Sequence, residues 1–273
     1  MSHRWRFAEL DHTLTSDAQG VHMVVEKFTF ANQDGHQLAA RLDLPEGPHL
    51  ASALFAHCFT CSKNLKAVGN ITKALAAEGV ETLRFDFTGL GESEGDFSDT
   101  NFSSNVDDLI AAYEYMSNRG NAPSILIGHS LGGAAVLQAA GRMDAVKAVV
   151  TIGAPSDPGH VEHHFESKKE EIERTGEAIV KLAGRPFKVK KQFLDDLAEA
   201  KMDDYIKNLD RALLVMHAPL DDTVGIDNAA HIYQKAKHPK SFISLDKADH
   251  LLMDQKYSLY AGALIADWSS IYL

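Results

Sequence analysis

Ser124-Ile-Leu-Ile-Gly-His-Ser-Leu-Gly-Gly-Ala-Ala135 is an apolar run, then a turn carrying one serine, then the start of a small-residue helix. A strand that passes directly into a helix through so tight a turn strains the serine backbone and crowds its neighbours. Gly128 and Gly132 are the residues that let strand and helix approach. The turn lifts the Ser130 hydroxyl out of the sheet and sets it at a helix N-terminus, where the Leu131 amide can face a developing oxyanion. G-x-S-x-G alone is a common pattern; framed by a strand and a helix it marks Ser130 as a nucleophile. The rest of the chain then has to supply a base, an acid and a second oxyanion donor.

Working outward, apolar strands alternate with helical segments. Val24–Phe30 and Gln37–Leu44 flank the turn Asn32-Gln-Asp-Gly35 and predict an antiparallel hairpin at the sheet edge. Ser52–Ala56, Glu81–Asp86, Ser124–Ile127, Ala145–Ile152, Leu213–His217 and Ser241–Leu245 follow as six further strands. Helices are expected over Leu65–Glu78, Asn105–Ser117, Ile226–Lys235 and Tyr257–Trp268. Strands without polar alternation, separated by helices, imply an α/β fold with a mostly parallel eight-stranded sheet and helices on both faces. Residues up to about Gln19 are polar and read as a loosely held arm.

One segment breaks the rhythm. More than fifty residues separate Pro155 from Leu209, where a βα unit needs fewer. His160–Arg174 reads as a charged helix, Glu177–Leu182 and Phe187–Lys190 as a hairpin, and Gln192–Lys207 as a second helix. Residues 1–155 and 210–273 therefore form the core, and 156–209 an inserted cap.

His250 follows the last strand, on the rim that parallel strands share with the serine turn, and is the expected base. An imidazole in that role needs a carboxylate to set its tautomer. Asp221 and Asp222 both follow a strand at the same rim, and adjacent side chains cannot both face one ring. Asp221 is the expected acid, with Asp157 a third choice. The loop His57-Cys-Phe-Thr-Cys-Ser-Lys-Asn64 lies where the second oxyanion donor belongs, and the Phe59 amide beside that of Leu131 is the expected pair.

Gly128-His-Ser-Leu-Gly132, His217-x-x-x-Asp221-x-x-Val224, Asp249-His250 and Arg84-Phe-Asp-Phe-Thr-Gly-Leu-Gly91 resemble the α/β-hydrolase superfamily. More narrowly, His57-Cys-Phe-Thr-Cys-Ser-Lys63, Asn101-Phe-Ser-Ser-Asn105 and Gly184-Arg-Pro-Phe187 resemble the hydrolase half of bifunctional α/β-hydrolase/OsmC-like proteins. The resemblance implies an α/β-hydrolase fold, with Ser130, Asp221 and His250 on the triad positions and Phe59 and Leu131 at the oxyanion hole. The resemblance covers the hydrolase half alone, and no thiol peroxidase activity is expected from it. Cys58 stands where many superfamily loops have glycine.

The formal charge of −11 argues against nucleic acid or an anionic membrane surface as the main partner. No stretch approaches the roughly 18 apolar residues of a spanning helix, and the N-terminus lacks a signal-peptide core. Two cysteines make no disulfide framework, which points to a reducing cytoplasm. Cys58-x-x-Cys61 lacks the second pair a zinc site would want, and a redox role is the minor reading. His160, His163 and His164 have helical spacing but sit among acidic residues, as surface histidines do. The glycines of residues 89–95 lack a phosphate-loop lysine. No cofactor and no metal are expected.

The function expected is a serine hydrolase: a carboxylic ester hydrolase acting on a small-molecule ester, with small to medium acyl groups, through an acyl-enzyme. Thioester, amide, peptide and C–C hydrolysis stay open, as does perhydrolysis. A non-catalytic binding protein on the same core is the alternative from another class. Monomer and homodimer are equally compatible with the sequence.

Overall fold

The computed structural model describes residues 11–16, 22–58, 61–182 and 184–273. Nine strands among them build one sheet: β1 (Asp11–Ser16), β2 (His22–Ala31), β3 (Gln37–Leu44), β4 (Ala51–Ala56), β5 (Val80–Phe85), β6 (Ile125–His129), β7 (Ala148–Ile152), β10 (Ala212–His217) and β11 (Lys240–Ser244). Two more, β8 (Glu177–Leu182) and β9 (Arg185–Lys190), pair only with each other. The order of the large sheet is β1-β2-β3-β5-β4-β6-β7-β10-β11. The first three strands and the β3–β5 pairing are antiparallel; from β5 to β11 every pairing is parallel.

Eight of these strands are the expected ones. The ninth, β1, occupies part of the expected arm. Its partner β2 is ten residues long, and the outer ladder of that strand is open to pairing as far as Lys27.

The hairpin turns because Asn32 Oδ1 accepts the amides of Asp34 and His36, both at 3.0 Å, while Gly35 takes φ 84°. Strand residues then divide by parity. Leu54, Ala56 and Leu126 pack on one face with helices α2 (Phe102–Asn118) and α3 (Leu131–Ala139). Ala53, Phe55, Ile125 and Ile127 pack on the other with α1 (Lys66–Ala77) and α8 (Gln255–Ser269). A fully buried leucine such as Leu126 contributes about 2–5 kcal/mol by the cost of truncating it to alanine. Helix α2 starts three residues before the expected Asn105. Asn101 accepts from the Ser104 amide at 2.7 Å and Ser104 Oγ from the Asn101 amide at 2.9 Å, a reciprocal cap.

Between β7 and β10 the chain departs from long helices. Over the expected helix His160–Arg174, Pro158–His164 and Glu166–Lys168 are 3₁₀ turns and α4 (Lys169–Thr175) is α-helical. The expected helix over Gln192–Lys207 is two, α5 (Lys191–Glu199) and α6 (Met202–Lys207). Leu197 and Met202 are both buried, and one continuous helix would turn them away from each other. Phe97 packs on Phe187 at 4.9 Å and on Phe193 at 6.1 Å, and Asp196 accepts from Ser103 N and Oγ at 2.8 and 2.6 Å. These contacts bind β9 and α5 to the 3₁₀ turn Phe97–Asp99, and α5 to the start of α2. Helix α7 (Asp227–Lys235) completes the set. Among the described residues no helix is long and apolar enough to cross a membrane.

Candidate active site

The parallel sheet changes direction at β4 and β6: the chain steps outward from β4 to β5, then returns to lay β6 on the other side. Open α/β sheets bind ligands at the carboxyl ends of such strands. Ser130, directly after β6, stands there with φ 55° and ψ −126°, a strained conformation for a residue with a Cβ. Its amide donates to Ile152 O at 2.9 Å, which fixes the turn against β7. A Cβ on Gly132 would lie 2.5 Å from Ala56 O and 2.6 Å from His57 O, and one on Gly128 would strike the Gly132 carbonyl and Gly133 Cα. The two glycines are therefore required by contact, as the sequence spacing implied.

Three of the expected residues come together across more than a hundred positions. His250 Nε2 lies 3.0 Å from Ser130 Oγ, and His250 Nδ1 lies 2.7 Å from Asp221 Oδ2. The other Asp221 oxygen accepts the Thr223 and Val224 amides, each at 2.9 Å. Burial by itself raises the Asp221 carboxyl; the hydrogen bonds from His250 and those two amides outweigh it and hold the group below its ordinary value. Asp222 is exposed and accepts from Thr223 Oγ1 at 3.3 Å. Asp157 is exposed and accepts the Gly159 amide at 2.8 Å, capping a turn instead of meeting an imidazole.

Leu131 opens α3, so its amide belongs to the first turn, whose N–H groups have no acceptor within the helix. Phe59, the expected second donor, lies outside the described residues. Its flanks are described. Cys58 and Cys61, read from the sequence as making no disulfide framework, are bonded to each other with Cα atoms 5.3 Å apart. Beyond them Lys63 is buried: its amide donates to Asp86 Oδ1 at 2.6 Å and its Nζ to Asp86 Oδ2 at 2.5 Å and Glu92 Oε2 at 2.6 Å. Arg84 donates to Lys63 O at 2.5 Å and is itself paired with buried Asp43 at 2.7 Å. The loop after β4 is thus clamped to β5 by a buried ion network. The only sequence signal for it was charge inside the apolar strand Glu81-Thr-Leu-Arg-Phe-Asp86.

Three further histidines line this region, all quoted in motifs without a role. His57 Nδ1 faces Cys58 O at 2.8 Å, His217 Nε2 faces Val224 O at 2.8 Å, and His129 Nε2 faces His250 O at 2.6 Å. A carbonyl oxygen only accepts, so each of these nitrogens carries its hydrogen. Burial first of all pushes the pKa of all three down. In the segment between β7 and β10, His160 Nε2 meets Thr223 O at 3.0 Å, tying that segment to the Asp221 loop. The side chains of His163 and His164 lie outside the described residues. Among the described residues no group of His, Cys, Asp and Glu could hold a metal ion.

A family model for serine aminopeptidases, S33, matches residues 61–188. The esterase domain of a Rhodothermus marinus protein is 49% identical, with 91% of this chain and 98% of that chain covered and a TM-score of 0.75. Est1E from Butyrivibrio proteoclasticus, solved with ferulic acid bound, superposes with a TM-score of 0.72 over 89% of this chain and 99% of its own; at 21% identity this is a likeness of fold. The uncharacterized protein YfhR of Salmonella typhimurium is 26% identical over 253 residues, 88% of this chain and 80% of its own length.

Proposed function

The chain belongs to the α/β-hydrolase superfamily, and on that premise we propose that it is a carboxylic ester hydrolase working through a Ser130 acyl-enzyme. The observation that carries this reading is the continuous relay Ser130 Oγ, His250 Nε2, His250 Nδ1 and Asp221 Oδ2, with spacings of 3.0 and 2.7 Å, on a strained turn at the sheet's switch point. His250 Nε2 takes the Ser130 proton as Oγ attacks the ester carbonyl. Asp221 holds the Nδ1–H tautomer and stabilises the imidazolium. The Leu131 amide, together with that of Phe59, receives the oxyanion, each donor contributing about 3–4 kcal/mol at the transition state. His250 returns the proton to the departing alkoxide, and water repeats the sequence on the acyl group. Residues 156–209 act as a cap that limits the size of the substrate.

A serine-directed fluorophosphonate should label Ser130 in the folded protein, and Ser130→Ala should abolish both labelling and turnover of p-nitrophenyl esters. A folded protein that does not label would refute the reading. The aminopeptidase description of the matching family supports a second reading, amide hydrolysis by the same relay. Aminoacyl p-nitroanilides turned over faster than p-nitrophenyl esters would favour it; the 49% identical esterase domain supports the ester.

A further inference from the structure

His129 is the only one of the three buried histidines whose ring crosses between loops. His57 and His217 close onto carbonyls one and seven residues away; His129 reaches a carbonyl 121 positions further along the chain. That carbonyl belongs to His250. The loop carrying His250 is otherwise held mainly by its own turns: Ala248 N donates to Leu245 O at 2.9 Å, Leu252 N to Asp249 O at 3.1 Å, and Leu251 N to Asp249 Oδ1 at 2.9 Å.

We propose that His129 is a positioning residue for His250. By donating Nε2–H to the His250 carbonyl, it sets the backbone from which the base projects toward Ser130. His129 and Ser130 are consecutive on one strained turn, so nucleophile and base anchor move as a single body. The inference rests on the reading of Ser130 and His250 as nucleophile and base.

The ring itself adds a second effect. The His129 and His250 rings lie 5.1 Å apart, tilted by 40°. When His250 takes a proton, a neutral neighbour at that distance is tolerated where a second cation would repel it. Burial, then the charge of His250, holds His129 at a pKa of about 3 against a smaller upward pull from the His250 carbonyl and Asp221, so it stays neutral throughout the reaction. Leucine or phenylalanine at this position would fill the space without offering a donor.

The test compares His129→Gln, whose amide nitrogen stands as many bonds from Cα as Nε2, with His129→Phe, which keeps a ring and loses the donor. The readouts are kcat and KM on p-nitrophenyl acetate, the rate of Ser130 labelling by a fluorophosphonate, and the thermal midpoint. The Phe variant should lose about 10- to 100-fold in kcat and in labelling rate, with KM within about threefold and the midpoint near wild type. The Gln variant should recover to within about fivefold of wild type. Should the Phe variant not fold, His129→Asn, whose amide stops short of the carbonyl, should show the same loss. A Phe or Asn variant that labels at the wild-type rate overturns the proposal, as does an equal loss in Gln and the donor-less variant. Wild-type protein that does not label overturns the nucleophile reading, and this inference with it.

Discussion

His250 Nδ1 lies 2.7 Å from Asp221 Oδ2, while Asp222, the next residue, faces solvent. Asp221 reaches the imidazole because its other oxygen is anchored by the Thr223 and Val224 amides, which turns the loop back on itself and directs Oδ2 inward. Replacing the two carboxylates separately should give very different results. Asp221→Asn should lower kcat by about 10⁴-fold, since the amide cannot hold the same imidazole tautomer. Asp222→Asn should stay within a few-fold of wild type. Steady-state kinetics on p-nitrophenyl acetate decide it, and a larger loss in Asp222→Asn would reassign the acid.

Stability should fall on mild acidification. His57, His129 and His217 all have folded pKa values below the ordinary 6.5, His129 down to about 3. The unfolded chain therefore binds protons below pH 6.5 that the native state refuses. Their contribution is intact above 6.5 and drains away as pH falls toward the folded values, at about 1.4 kcal/mol per pH unit for each group in its window. Asp221 acts in the same direction at lower pH, being depressed from 3.8. Urea unfolding at pH 7, 6, 5 and 4 should show this slope, and His129→Gln should be flatter by about one proton. A wild-type protein equally stable at pH 7 and 5 would contradict the account.

Lys63→Met should be severe for one substitution on a loop. It removes the cation paired with Asp86, which is fully buried, at a cost of about 3–5 kcal/mol. Adding Asp86→Asn should restore part of that loss, because the uncompensated charge goes with it. Denaturant midpoints of the two singles and the double measure the coupling; strictly additive losses would mean the pair is not the reason.

The Cys58–Cys61 bond spans Phe59 in the chain. Reduction by a dithiol should lower kcat about tenfold, short of the full loss of one oxyanion donor. KM should change little. Cys61→Ser should behave like the reduced protein and ignore the dithiol. Unchanged turnover after thiol titration confirms full reduction would separate the bridge from catalysis.

The elbow at Ser130 was legible in the sequence because its causes are local. Gly128, Ser130 and Gly132 lie within five positions, and the sterics of one turn make those residue types necessary wherever the turn occurs. The eight strands and the parallel order were legible for a similar reason: side-chain parity and βα alternation are properties of neighbours. The segment 156–209 was less so. Its helices are short, broken by 3₁₀ turns and by the extended backbone at Ala200, and they are held by Phe97, Ser103 and Asp99 from outside the segment. Strand β1 escaped for want of an apolar pattern, its stability coming from the open ladder of β2.

By itself, then, the sequence determined eight strands of the sheet and the strained serine turn at its rim. Only the tertiary structure set Asp221 Oδ2 against His250 Nδ1, joined Cys58 to Cys61, buried Lys63 against Asp86, and set the His129 ring under the carbonyl of His250. Those choices depend on side chains from distant strands meeting with the right rotamers in a space that exists only once the sheet is assembled. Residue types within a turn encode backbone geometry; a hydrogen bond across 121 positions is encoded by the whole fold.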